Sequence, residues 1–99
     1  MKHMAILTHG PETCAAAIAE IGDKANSALA QLEVGSEKNG VTIEGFWVDP
    51  PGHQFYLLAD APNAHAVSQL TVELQLFHWN TVDIHAVITV EEARSLIAH

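Results

Sequence analysis

The histidines are the residues of this chain most suited to metal binding or catalysis. The sequence contains seven of them in 99 amino acids. Imidazole is the commonest metal ligand, and its unperturbed pKa of about 6.5 lets it give and take protons near neutrality. No pair has the spacing of a zinc motif, so a metal site would have to be assembled in three dimensions. We hypothesise that a divalent transition metal ion binds to His53 and His85, with His78 or His3 as a further ligand.

Asp83 and His85 form a candidate acid-base pair. They are two residues apart in a run that alternates like a β-strand, so they lie on the same face of it. A carboxylate beside an imidazole can orient the ring, as a general base or a metal ligand requires. The alternative is an exposed pair of polar residues on an edge strand.

Two further histidines lie at the ends of predicted elements. His53 follows a Pro-Pro-Gly turn and shares a strand face with Phe55 and Leu57, which suits metal binding or control of access to a ligand. A solvent-facing residue at the start of a strand is the alternative. His78 comes just after the second predicted helix, where it could equally cap the helix.

Aromatic side chains could line a pocket for a small, partly apolar ligand; the candidates are Trp47, Phe55, Tyr56 and Trp79. Packing in the core or in a dimer interface is the alternative for each of them. Glu44 is the other carboxylate inside a predicted strand. It could act as an acid or base if its face lines a pocket, and is an ordinary surface charge otherwise.

The elements that must position these residues follow a repeated β-α-β plan. Strand-like runs alternate with two stretches whose apolar residues recur at helical spacing. The predicted strands are 2–8, 41–48, 53–60 and 82–90, and the predicted main helices run from Pro11 to about Leu32 and from Asn63 to about Phe77. We therefore predict an α+β, ferredoxin-like split βαββαβ fold over residues 1–99 as a single domain. It has a four-stranded antiparallel sheet, two main helices on one face and a short C-terminal helix, Glu91 to Ala98.

Side-chain alternation predicts which way each strand faces. In the last strand Val82, Ile84, Ala86 and Ile88 should face the helices, which turns Asp83 and His85 to the other side. In the second strand Val41, Ile43 and Trp47 should share one face, and Thr42, Glu44 and Phe46 the other. Gly45 could mark a β-bulge in that strand, and residues 35–40 are expected to form a turn-rich connector.

Composition favours self-association and argues against some partners. Apolar residues make up 48% of the chain and charged residues 16%, which leaves few charges to cover a small monomer. With one sheet face free of helices, we expect a homodimer; an alanine-rich core is the alternative explanation. The net charge of −8 argues against nucleic acid and anionic membranes as partners.

Cys14 is the only cysteine, so the chain cannot form an intramolecular disulfide. With no leader-like segment and no apolar run near the ~20 residues of a membrane span, we expect a cytoplasmic protein. Cys14 has helical spacing with Ile18 and Ile21, which predicts a small buried apolar residue. A reactive thiol is the alternative.

The C-terminal half carries a family resemblance, in the segments PGHQFYLLADAPNAHAVSQL and FHWNTVDIHAVITVEEA. Together with the layout of the whole chain, they resemble a bacterial and archaeal family of uncharacterised domains in the dimeric α+β barrel superfamily. The resemblance implies the fold, a homodimer and a pocket between two sheets. It implies no catalytic residues.

Two functions are therefore expected from the sequence. The first is a homodimeric module that binds a small ligand or a metal ion between its sheets. The second is a small cofactor-free monooxygenase or isomerase that uses Asp83 and His85 as an acid-base pair. The sequence lacks a nucleotide-binding glycine loop and a nucleophile elbow, which favours the binding module.

Overall fold

The computed structural model describes residues 1–97, which form one antiparallel sheet and the helices that pack on it. The strands are β1 (Lys2–Thr8), β2 (Thr42–Asp49), β3 (Gln54–Asp60) and β4 (Thr81–Val87). The helices are α1 (Ala19–Lys38), α2 (Ala64–Glu73) and α3 (Val90–Ala93), with 3-10 turns at Pro11–Thr13 and Arg94–Leu96.

The strand order across the sheet is β2-β3-β1-β4, and all neighbouring strands are antiparallel. This is the order of a ferredoxin-like βαββαβ fold, so the predicted fold class is confirmed. The central strand β1 is flanked by β3 and β4, which leaves β4 at an edge as expected.

The core lies between one face of the sheet and the two main helices. Alternate residues of β1 point into it, among them Ala5 and Leu7, which are fully buried. Leu57 of β3 packs in the same cluster, together with Val67 and Leu70 of α2. Both helices cover this one face, so the side chains on the other face are left without a protein layer.

The first helix begins later and ends later than the sequence pattern predicts. Pro11 starts only a 3-10 turn, which Cys14 closes by donating its N–H to the Pro11 carbonyl at 3.4 Å. Cys14 itself is extended and half-buried, so its predicted place inside the helix is wrong. At the other end α1 continues through Gly35, where a Cβ would lie 3.2 Å from Leu70. The predicted connector therefore shrinks to a turn before β2.

The predicted bulge at Gly45 is present, and it reverses the alternation of β2. The register with β3 shifts between Ile43 and Gly45. Ile43 and Phe46 consequently both pack against the core. Trp47 points the other way and is 55% exposed. The prediction that Trp47 shares a face with Ile43 is wrong. The bulge adds one residue to the strand, so every residue after it faces the side opposite to the one that simple alternation predicts.

The C-terminal helix is shorter than predicted. Thr89 caps α3 in a capping box with Glu92, and a 3-10 turn ends at Leu96. Ala98, the predicted end, lies outside the described residues. Within residues 1–97 none of the helices combines the length and the hydropathy of a membrane span.

Candidate functional site

The sheet carries a group of large apolar side chains on the side that no helix covers. Ile6, Tyr56 and Trp47 are directly paired across β1, β3 and β2, and Met4 is paired with Leu58 in the adjacent row. We call these five residues the open sheet face. Trp47 is 55% exposed and the other four are half-buried. An apolar patch of this kind on a small chain typically marks an interface or a ligand site.

Ion pairs border the open sheet face at one end. Lys2 Nζ donates to both carboxylate oxygens of Glu44, at 2.7 and 2.8 Å, and this hydrogen bond raises the pKa of Lys2. The N-terminal amine bonds to Asp60 at 2.8 Å and lowers the pKa of that carboxyl. Glu44 is thus a member of a surface ion pair and not an isolated carboxylate in an apolar pocket.

Neutral polar groups border the opposite end of the face. The Tyr56 hydroxyl donates to Gln54 Oε1 at 2.6 Å, and Gln54 Nε2 donates to Thr8 Oγ1 at 3.2 Å. These two hydrogen bonds fix the direction of the Tyr56 ring. The open sheet face therefore has an apolar centre and a polar border, the arrangement typical of protein interfaces.

Asp83 and His85 lie on the same side as the open sheet face. Asp83 is paired with Ile6 and His85 with Met4, and both side chains are exposed. Val82 and Ile84 pack against the core, as the strand phase predicts. Ala86 is exposed, and Ile88 lies beyond the end of β4 and is 53% exposed, so the predicted packing of these two residues is wrong. Within residues 1–97 no hydrogen bond joins Asp83 to His85. The two can therefore reach a molecule bound on this face, although they are not preassembled as a pair.

The aromatic residues predicted to line a pocket divide between the two sides of the sheet. Trp47 and Tyr56 belong to the open sheet face. Phe55 and Trp79 lie on the helix side, where their rings meet edge to face at 5.8 Å. There they help to line an apolar cavity of ≈ 50 Å³ beneath α1. No single pocket of the described chain contains all four.

The histidines predicted as metal ligands are also divided. His3 is 1% exposed and lies on the helix side of β1. It is paired with Ala86, whereas His85 is paired with Met4 on the opposite side of the sheet. His78 is exposed in the segment between α2 and β4. The structure therefore does not bring His3, His78 and His85 into one site, because His3 and His85 lie on opposite sides of the sheet and His78 lies outside it.

His53 lies instead beside two residues that the sequence interpretation did not select, His9 and Cys14. One donor atom from each of the three lies within 4.8 Å of the others, and all three residues are half-buried. We call them the His-Cys-His group. Among the described residues it is the only group of three or more His, Cys, Asp or Glu side chains whose donor atoms lie this close together, and its donors are nitrogen and sulfur.

The backbone holds the two histidines of this group together. His9 follows β1 and donates its N–H to the His53 carbonyl at 3.1 Å, which extends the pairing of β1 with β3. His53 closes the Pro-Pro-Gly turn by donating to the Pro50 carbonyl at 3.2 Å. Its φ of 53° lies in the left-handed region, which few residues other than glycine, asparagine, aspartate and histidine adopt.

The sequence contains a signal for this group, which lies in the topology. Because β1 and β3 are antiparallel neighbours, the residue after β1 must meet the residue before β3. His9 and His53 occupy those two positions. Cys14 could not be placed in the same way, because its position depends on where α1 begins.

The comparisons with known proteins establish a family and no activity. No protein of curated function and no solved structure is significantly similar to the chain. The matching family model covers residues 1–99, and its description is a domain of unknown function, DUF3303. The chain therefore belongs to the DUF3303 family.

Proposed function

We propose that the protein is a homodimeric binding module in which the open sheet faces of two copies pack together. Such a pair is a dimeric α+β barrel, and a small, partly apolar molecule would bind in the space between its sheets. The observation that carries the proposal is the open sheet face itself. It places Trp47, Tyr56, Ile6, Met4 and Leu58 side by side on a surface that the chain does not cover.

A second copy of the chain is the occupant that this surface suits best. A domain of this length buries a modest share of its surface, so association adds stability that the core alone does not supply. The centre of the face is apolar and charged side chains lie at its border. In a symmetric dimer the same surface serves both partners, and each apolar centre would meet an identical one.

The charges around the face favour a neutral ligand. Asp83 and Glu44 flank the apolar centre, and the nearby amine of Lys2 is already engaged with Glu44. An anionic molecule would therefore meet carboxylates and no free cation among the described residues of this face. Trp47 and Tyr56 offer aromatic surface to stack on a ring, and His85 offers a hydrogen-bonding group.

Binding of the neutral aromatic probe 1-naphthol, measured by isothermal titration calorimetry, tests this function. We expect saturable binding that Trp47→Ala weakens about tenfold, which is the equivalent of about 1.4 kcal/mol. Phe77→Ala is the matched control, because Phe77 is 57% exposed but lies outside the sheet. Equal loss of affinity in both variants, or no saturable binding to the native protein, would contradict a pocket on this face.

A cofactor-free isomerase or monooxygenase is the second candidate function. It is supported by the side of the sheet on which the polar residues of β4 lie. Asp83 and His85 lie on the face where the ligand would bind. If they act as an acid-base pair, Asp83→Asn should slow turnover of a lactone or quinol substrate by roughly 10²-fold or more, with affinity nearly unchanged. If the variant changes affinity alone, the protein binds its ligand without transforming it.

A further inference from the structure

We propose that the His-Cys-His group of His9, Cys14 and His53 is a binding site for a transition metal ion of the Zn²⁺ class. The site is independent of the open sheet face, and all its ligands come from one chain. Imidazole nitrogen and thiolate sulfur are donors that Zn²⁺ and its neighbours among the first-row metals prefer, whereas Mg²⁺ and Ca²⁺ require oxygen.

The distances between the donors suit one ion. In a tetrahedral zinc site the donor atoms are about 3.3–3.6 Å apart, as follows from bond lengths of about 2.0–2.3 Å. The three donors of this group lie within 4.8 Å of one another, so closing around an ion requires side-chain movements of at most about 1 Å.

The separation of the two histidine rings also fits. Two imidazoles bound to one tetrahedral ion have ring centroids about 5.2 Å apart, given metal-nitrogen bonds of about 2.0–2.1 Å. The centroids of His9 and His53 are 5.3 Å apart. The spacing of the two rings is therefore compatible with a shared ion.

Asn80 holds His9 in the form that can bind a metal. Its Nδ2 donates to the Leu76 carbonyl at 3.0 Å, which directs its Oδ1 towards His9. That oxygen is 3.1 Å from His9 Nδ1 and accepts the proton there. A neutral His9 then carries its free electron pair on Nε2. Histidine ligands in metal sites are commonly oriented by such a hydrogen bond on their other nitrogen.

His53 supplies a second, independent indication of a ligand. Its Nδ1 is buried and has no hydrogen-bond partner among the described residues. A buried polar atom without a partner is destabilising unless a water or an ion satisfies it. The rigid turn that precedes His53 and its left-handed backbone keep the ring beside His9, so a metal ion would bind to a largely preformed site.

Three protein ligands leave a fourth coordination position for water or a small ligand, as in catalytic zinc sites. Phe55 and Trp79, which line the apolar cavity, both contact the His9 ring, with centroids 5.7 and 5.3 Å away. The metal would thus lie at the edge of the apolar core. This packing limits how far His9 can turn towards solvent when no ion is bound.

Titration of the metal-free native protein with Zn²⁺ and Co²⁺ tests the site. We expect one Zn²⁺ to bind per chain, and Co²⁺ to give both the visible spectrum of a tetrahedral ion and a thiolate charge-transfer band. Cys14→Ser should remove the charge-transfer band and weaken Zn²⁺ binding roughly tenfold or more. His53→Asn should weaken binding similarly, and asparagine tolerates the positive φ at this position.

His65→Gln is the matched control, because His65 is an exposed histidine of α2 outside the group, and its loss should leave the affinity for Zn²⁺ unchanged. Circular dichroism of each variant shows whether the fold is retained. A Co²⁺ spectrum without a thiolate band in the native protein, or equal losses of Zn²⁺ affinity in Cys14→Ser and His65→Gln, would overturn the proposal. So would an absence of stoichiometric Zn²⁺ binding.

Discussion

Ile6→Asp is expected to convert the proposed dimer to a monomer. Ile6 lies at the centre of the open sheet face, paired with Tyr56 on one side and Asp83 on the other. The substitution would place a second carboxylate beside Asp83. In a symmetric dimer these two carboxylates would face the same two carboxylates of the partner and repel them. Because buried charges without partners are strongly unfavourable, association should fail. Light scattering should report twice the chain mass of 10.7 kDa for the native protein and the single mass for the variant.

Val34→Asp provides the control for this experiment. Val34 is 70% exposed on α1, away from the sheet, so the same change of an apolar residue to aspartate should leave the dimer intact. Circular dichroism should show a folded Ile6→Asp chain, since Ile6 is only half-buried in a single copy. A native protein with the mass of one chain would contradict the proposed dimer, and so would an Ile6→Asp variant that keeps the double mass.

Leu7→Ala should greatly lower the stability of the fold, whereas Ile6→Asp should prevent association. Leu7 is the next residue of β1, but it points into the core and is fully buried. Removing a large buried side chain leaves a cavity and typically costs about 2–5 kcal/mol in the free energy of unfolding. That is a substantial fraction of the roughly 5–15 kcal/mol that holds a typical domain together. Urea denaturation monitored by circular dichroism measures the change.

Val72→Ala is the matched control for Leu7→Ala. Val72 lies on α2 and is 41% exposed, so its replacement should lower the free energy of unfolding much less than the replacement of Leu7 does. Both variants must be compared with the native protein at one chain concentration, because the stability of a dimer depends on concentration. If Leu7→Ala and Val72→Ala were equally stable, the assignment of the β1 faces would be wrong.

The sequence was sufficient to predict the sheet, because its strands alternate clearly and are bounded by strong turn residues. It was insufficient wherever a single residue changes the phase. The glycine at position 45 predicts the bulge, but simple alternation ignores the extra residue and therefore assigns Trp47 to the wrong face of the sheet. The start of α1 was missed because alanines after Pro11 have helical spacing although the chain there is a turn.

The candidate sites show the same limit. Asp83 and His85 lie on the side of the sheet that the sequence pattern predicts, since β4 alternates regularly from Thr81 to His85. The His-Cys-His group was not found, because it depends on loops whose meeting is set by strand order and not by local pattern. His9 could have been paired with His53 from the antiparallel order alone. Cys14 required the length of the turn at Pro11, which periodicity does not report.

Hydroxyl-radical footprinting with mass spectrometry tests the central claim, that a second copy covers the open sheet face, because it reads side-chain exposure in the native protein. We expect Trp47 and Met4 to be labelled slowly in the native protein and much faster in Ile6→Asp, where no second copy would cover the face. Phe77, exposed outside the sheet, should be labelled equally in both. Labelling of Trp47 at the same rate in the two proteins would contradict the account.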